Sequence, residues 1–366
     1  MKGTFKLAKV SGIGIFVHWT FSFLIAFIIF VNIRAGYNKL QILWSIFFIL
    51  IIFVTVILHE LGHALVAKNY GIHTKDITLL PIGGLARLER LPEKPLEELA
   101  VAFAGPLVNI VLAAFTGIFI TLPDTPEALL IQLSGGINSS NFLLNFFIVN
   151  IALAIFNLIP AFPMDGGRIL RALLSFKFKR HIATKIAARI GQLLAIAFII
   201  IGFLSNPFLI FIGVFVFMGA QIEANNTESK YVLKGYKVKD VVMKKYLSID
   251  KDQPLSKAIE LLLDSQSKNF LITSNEEPIG TLNRDEIIVA LSKRGENTAI
   301  HTAMNSNLVY LEENTLLADV FDLIYSSKST LMLVMNKKEL IGTLDTENLL
   351  EFLLIKEVKI KNANEL

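Results

Sequence analysis

Long apolar runs fill the first 222 residues, and this limits the fold more than any other feature. A bilayer core offers the backbone no water to bond, so runs of about 20 apolar residues must close their own hydrogen bonds as spanning helices. Six runs qualify, at roughly 14–33, 41–68, 99–122, 142–160, 186–204 and 207–222, and the last two are joined by Ser205-Asn206-Pro207. The first follows Lys2, Lys6 and Lys9, is long enough to span and lacks a small-residue cleavage site, so it reads as a span and not as a cleaved signal. Beyond the runs the sequence is that of a water-soluble domain. The expected division is therefore a membrane part at 1–222, a polar linker at 223–235 (EANNTESKYVLKG) and a soluble tail.

Loop charge orients the spans. The stretch 121–141 has no Lys or Arg and carries Asp124 and Glu127. The stretch after the second run holds Lys68, Lys75, Arg87, Arg90 and Lys94, and that after the fourth holds Arg168, Arg171, Lys177, Lys179, Arg180, Lys185 and Arg189. The positive-inside rule makes the basic stretches cytoplasmic, and an even number of crossings puts both termini on that side. The net charge of +4 is accounted for by such loops and gives no nucleic-acid footprint.

The tail repeats itself. Glu277-Pro278-Ile279-Gly280-Thr281-Leu282 returns 62 residues later as Glu339-Leu340-Ile341-Gly342-Thr343-Leu344. Each copy has a helical pattern (Leu255 to Leu263; Leu316 to Tyr325), then a β-like run (Phe270–Thr273; Leu331–Val334). Two α/β units of this kind, 236–295 and 299–357, would bury each other's apolar faces.

His59-Glu60-Leu61-Gly62-His63 closes the second apolar run, where every residue from Phe48 to Leu58 except Thr55 is apolar. Residues four apart share a helix face, so both imidazoles can bind one ion, and Glu60 stands beside it to take a proton from water. An ionisable group at the centre of a spanning helix costs about 2.5–3.5 kcal/mol, and a dication offsets that cost better than the alternative of two interfacial histidines. The chain has no cysteine, so any further ligand must be His, Asp or Glu. Asn157-Leu158-Ile159-Pro160-Ala161-Phe162-Pro163-Met164-Asp165-Gly166-Gly167 breaks the fourth run. Irregular backbone at membrane depth is tolerated where it lines a wet cavity. Asp165 is the lone carboxylate there, and two imidazoles plus one carboxylate leave a net positive site suited to zinc and an activated water.

With HELGH at 59–63 and NLIPAFPMDGG at 157–167, together with Phe103-Ala104-Gly105-Pro106-Leu107-Val108-Asn109 and Pro81-Ile82-Gly83-Gly84-Leu85-Ala86-Arg87-Leu88-Glu89, the chain resembles the site-2 protease family of intramembrane metalloproteases. The resemblance is to the branch with a C-terminal pair of CBS domains and covers essentially the whole chain. It implies a polytopic α-helical membrane protein joined to a cytoplasmic α/β tandem CBS module. It implies one Zn2+ held by His59, His63 and Asp165, Glu60 as catalytic acid–base, and Asn157 near the transition state, either as an oxyanion donor or as a partner for backbone freed by the prolines. The substrate it implies is a transmembrane protein or peptide in the lipid bilayer.

A peptide bond in a spanning helix must be unwound before it is cut. Ile77 to Leu91 is too short to span and reads as a re-entrant β-hairpin turning at Gly83-Gly84, whose edge could hold an extended substrate. Gly105, Ala102 and Ala104 read as close-packing residues, His18 beside Trp19 as interfacial, and His73, His181 and His301 as solvated. In the CBS pattern for adenine nucleotides, Asn283 and Asp345 stand where Thr or Ser is expected, and Glu286 and Asn348 where the ribose-binding Asp is expected. A nucleotide site and a purely regulatory or homodimerising tail thus stand as alternatives. Two other functions fit parts of the pattern. A CBS-regulated transporter explains the broken helices but gives Glu60 no role, and a client-binding scaffold explains neither Glu60 nor the intact ligand set.

Overall fold

The computed structural model describes residues 3–364 apart from 82, 91, 266, 328 and 329. The chain forms two units, Met1–Asn225 and Asn226–Leu366. The first contains β1 (Thr4–Val10), β2 (Ile13–His18), α1 (Phe21–Arg34), α2 (Lys39–Asn69), β3 (Thr74–Leu80), β4 (Gly83–Leu88), α3 (Pro95–Gly117), α4 (Pro126–Ser134), α5 (Phe142–Leu158), α6 (Asp165–Ser175) and α7 (Arg180–Leu204), followed by α8 (Phe208–Val232). Among the described residues α2, α3, α7 and α8 are long and apolar enough to cross a membrane, and α1 and α5 are shorter apolar helices.

The run at 14–33 is not one helix. Gly12, at φ +91°, turns the chain between β1 and β2, and in Ile13-Gly14-Ile15-Phe16-Val17 alternate residues share a face. Ile13 and Ile15 are buried on that face. His18 Nδ1 lies 2.8 Å from Thr20 Oγ1 where strand gives way to α1. The hairpin expected from Ile77 is present as β3–β4, with Leu79 opposite Gly84 and Leu80 opposite Gly83. It belongs to a four-stranded sheet of order β1-β2-β3-β4 in which β2 and β3 run parallel. Ile82 and Leu91 of the expected stretch lie outside the described residues.

The sheet packs on the helix that carries the His-Glu motif: Ile13 and Ile77 join Leu61 and Ala64 in one buried cluster. Asn38 caps α2, accepting from Gln41 N while Gln41 Oε1 accepts from Asn38 N. At 1.5 Å per residue His59 lies about 30 Å along α2 from Lys39, one hydrocarbon thickness.

The second unit holds β5 (Ser248–Asp250), α9 (Leu255–Asp264), β6 (Asn269–Ser274), β7 (Glu277–Asn283), α10 (Arg284–Arg294), β8 (Tyr310–Glu312), α11 (Leu317–Ser326), β9 (Leu331–Asn336), β10 (Glu339–Asp345) and α12 (Thr346–Asn364). β8, α11, β9 and β10 repeat β5, α9, β6 and β7 at the 62-residue spacing of the sequence. Each repeat lends its leading segment to the other. Met243 bridges Thr343 in the second sheet, and Asn305 bridges Thr281 in the first. Leu271 of β6 packs with Leu331 and Leu333 of β9. The polar stretch 223–235 is helical as far as Val232, and Val232 and Leu233 are buried in the second repeat's core.

Candidate metal centre

On α2, His59 and His63 present their rings to α6, whose first residue is Asp165. All three side chains are buried. His59 Nε2 and His63 Nε2 are 3.1 Å apart, and each lies 3.2 Å from Asp165 Oδ2. Zinc–nitrogen bonds of about 2.0–2.1 Å in a tetrahedral shell place neighbouring ligand atoms about 3.3–3.4 Å apart, so the triangle fits one small cation. His63 Nδ1 is 2.7 Å from Val101 O. That carbonyl can only accept, so Nδ1 donates to it and carries a proton. A further proton placed on any one edge of the triangle leaves another edge repelling, whereas one dication serves all three. Glu60, half-buried, sits one residue from His59 on the same turn.

Three local devices hold these groups. First, the Gly166 and Gly167 pair lets α6 start hard against the end of α5. A Cβ on Gly166 would lie 2.2 Å from Ile159 O and 2.4 Å from Leu158 O. Second, Gly105 of α3 faces the imidazoles. A Cβ there would lie 2.2 Å from His63 Nε2 and 2.6 Å from His59 Nε2. Gly105, expected to serve helix packing, packs against the two converging imidazole nitrogens themselves. Third, α6 is tied to α3 by Arg171, which donates to Glu98 and to Glu223 and lies over the Phe162 ring. Arg171 and Glu98 are 1% and 3% exposed. Burial works to lower the Arg171 pKa, but the charges of Glu98 and Glu223 and their hydrogen bonds outweigh it and leave the guanidinium raised. In the sequence Arg171 counts only as an orientation charge, because nothing local shows its partners 73 and 52 residues away.

Two amides also bear on this region: Asn109, which the sequence offers only as the end of the Phe103–Asn109 stretch, and Asn150, which it does not single out. Asn109 Oδ1 lies 2.6 Å from His59 Nδ1, and Asn109 Nδ2 donates to Asn150 Oδ1 at 3.1 Å. The available signal was an amide inside each of two apolar runs. Asn157, on the last turn of α5, donates from Nδ2 to Leu153 O at 3.0 Å.

In the second unit a cleft is lined by Lys268, Asn269, Asn283, Arg284, Asp285, Thr330, Thr346 and Glu347. The positions of the nucleotide pattern differ in how they are engaged: Asp345 Oδ2 accepts from Asn269 of the other repeat at 3.1 Å, and Asn348 Oδ1 is buried without a hydrogen-bond partner among the described residues. Asn283 and Glu286 close a capping box on α10, and Asp345 Oδ1 accepts from Asn348 N at 2.8 Å. Burial raises the Glu286 pKa, the hydrogen bond from Asn283 N opposes it, and Asp285 adds to the rise. Two of the lining residues pair, Lys268 Nζ with Glu347 at 2.7 Å.

Comparison with known proteins gives the family. The model described as Peptidase family M50 matches residues 47–126 and 126–202, and that of the CBS domain matches 238–293 and 299–355. A zinc metalloprotease of Methanocaldococcus jannaschii is 36% identical over 283 residues, 77% of this chain and 78% of that protein. A candidate zinc metalloprotease of Synechocystis sp. is 37% identical over 206 residues, 53% of this chain and 51% of that protein. Among solved structures, a site-2 protease from Methanocaldococcus jannaschii shares 39% identity over 60% of this chain and 95% of its own, with a TM-score of 0.43. With its His-Glu helix, its Asp-Gly-Gly turn and its paired CBS repeats, this chain belongs to Peptidase family M50, the site-2 proteases.

Proposed function

We propose that this zinc metallopeptidase hydrolyses a peptide bond within or near a transmembrane segment of a membrane protein, with His59, His63 and Asp165 as metal ligands and Glu60 as the group that moves the proton. The observation that carries the reading is the buried convergence of His59 Nε2, His63 Nε2 and Asp165 Oδ2 within an apolar helical unit. Zinc held there would supply Lewis-acid polarisation and would lower the pKa of a water toward neutrality. Glu60 is placed to take a proton from the attacking water onto its carboxylate and to deliver it to the leaving amide nitrogen. Asn157 is assigned to the developing negative charge on the substrate carbonyl oxygen. Its amide has two hydrogens, one of which bonds Leu153 O, and it lies next to Leu158, whose carbonyl abuts Gly166.

We assign six crossings to 1–222, counting the shorter α1 and α5, with both termini and the CBS pair (236–295 and 299–357) cytoplasmic. The lysine- and arginine-free stretch 121–141 supports this orientation. The CBS pair is taken as a regulatory or dimerising tail joined through 223–235. The transporter reading leaves Glu60, one residue from a buried ligand, with nothing to do.

The β3–β4 hairpin is assigned to substrate presentation as a re-entrant element. β4 is at the edge of its sheet, and Gly84 faces the general base: a Cβ there would lie 2.8 Å from Glu60 Cγ. An unwound substrate strand added to this edge would lie beside Glu60. Gly84→Val is expected to cut the cleavage rate about 10–10²-fold by shifting Glu60 and roughening the edge, with zinc content unchanged. Unaltered cleavage by this variant would remove the hairpin from the mechanism. The whole proposal is tested by the full chain in liposomes against a panel of single-span proteins. Cleavage of at least one member, stopped by a chelator and restored by zinc, is expected; metal-independent cleavage contradicts it.

A further inference from the structure

We propose that Asn109, backed by Asn150, is a positioning residue that dictates which nitrogen of His59 faces the metal. The inference rests on the assignment of His59 as a ligand and deepens it.

The Phe146 carbonyl can play only one role. Asn150 Nδ2 lies 2.9 Å from Phe146 O. A backbone carbonyl only accepts, so the nitrogen end of the Asn150 amide points there and its Oδ1 faces Asn109. At 3.1 Å that oxygen accepts from Asn109 Nδ2. The other end of the Asn109 amide, Oδ1, is therefore the atom 2.6 Å from His59 Nδ1. An amide oxygen cannot donate, so Nδ1 must carry the proton and Nε2 is left with its lone pair directed at His63 and Asp165. The Phe146 carbonyl of α5 thus fixes, through two amides, the tautomer of an imidazole on α2.

Burial makes the relay effective. Asn109 and Asn150 are 1% and 0% exposed, so no water competes for their hydrogen bonds. Two amides in an apolar bundle are costly unless fully bonded, and leucine would pack these helices at no such cost. His63 receives the same instruction directly from Val101 O on α3. Both ligands are thereby set to bind through Nε2, and α3 supplies the acceptor in each case. This gives a role to the Phe103–Asn109 motif, which the catalytic scheme leaves unused beyond Gly105.

The test uses the full chain in detergent, as wild type, Asn109→Leu, Asn109→Asp and Asn150→Leu. Zinc affinity is measured by competition with a chromophoric chelator, and the bound geometry by the visible spectrum of the Co2+-loaded protein. Asn109→Leu should weaken zinc binding about 10–100-fold and alter the cobalt spectrum. Asn109→Asp keeps an acceptor oxygen at His59 but sets a second acceptor against Asn150 Oδ1, so it should bind more tightly than Asn109→Leu though less tightly than wild type, with the wild-type spectrum retained. If Asn109→Leu fails to fold, Asn150→Leu decides, since it touches no ligand: at least about threefold weaker binding supports the relay and unchanged binding overturns it. The proposal is also overturned if Asn109→Leu binds like wild type, or if Asn109→Asp is as weak as Asn109→Leu, which would leave the pair a packing role. A wild type that takes up neither zinc nor cobalt would instead refute the ligand assignment beneath it.

Discussion

Glu60→Gln is expected to slow cleavage about 10²–10⁴-fold while leaving the protein folded and its zinc bound. Glutamine keeps the length and polarity of the side chain but has no carboxylate to accept a proton. Glu60 is not among the three converging donors, so its charge is not needed to hold the ion. It also makes no buried ion pair among the described residues, so the exchange leaves no partner stranded. The result is read by zinc content, thermal unfolding in detergent and cleavage of a single-span substrate, all on one preparation. Wild-type cleavage by the glutamine variant would show that the proton moves through another group. Loss of zinc together with activity would show that Glu60 helps to hold the metal.

The second large effect is expected from one methyl group. Gly105→Ala would place Cβ 2.2 Å from His63 Nε2 and 2.6 Å from His59 Nε2, inside any real contact distance. Separating α3 from α2 would relieve the clash only by opening the close packing at Gly62, where a Cβ would lie 2.9 Å from the Ala104 carbonyl oxygen. The imidazoles must turn instead, which moves Nε2 away from Asp165. A misplacement of about 1 Å can cost about 10²-fold, so both zinc affinity and cleavage should fall by at least that factor. Gly117→Ala on the same helix is the control. Its Cβ would meet only the Phe147 ring, at 3.3 Å and away from both imidazoles, so zinc affinity should stay that of wild type. If Gly105→Ala bound zinc as wild type does, α3 would not line the metal centre as described.

The features that the sequence exposed are those encoded locally. The four-residue spacing of His59 and His63 survives any tertiary arrangement, and Asp165 stood out as a carboxylate among prolines and glycines in an apolar run. The 62-residue repeat announced the paired α/β units. What stayed hidden depends on distant contacts. β2 merged with α1 into one apolar run because hydropathy alone does not separate a buried strand from the start of a helix; its partners β1 and β3 distinguish it. α4 lay unnoticed in 121–141, although Thr125 and Pro126 form an N-cap and first turn, with Thr125 Oγ1 accepting from Ala128 N at 3.2 Å. The exchange of leading segments between the CBS repeats left no local mark, because Met243 and Asn305 are ordinary residues until their partners on the other repeat are known. Asn150 was passed over because an amide in an apolar run carries no charge to draw attention, and Asn109 counted only as the end of the Phe103–Asn109 stretch.

The central claim is that one metal ion sits between two imidazoles of α2 and the carboxylate that opens α6. Zinc K-edge X-ray absorption of the full chain, with zinc counted per chain, tests it most directly. Expected is one zinc with two histidine nitrogens and oxygen ligands at about 2.0–2.1 Å, with the metal lost or one oxygen missing in Asp165→Ala. A folded wild-type chain without zinc, or a zinc shell without imidazole, would contradict it.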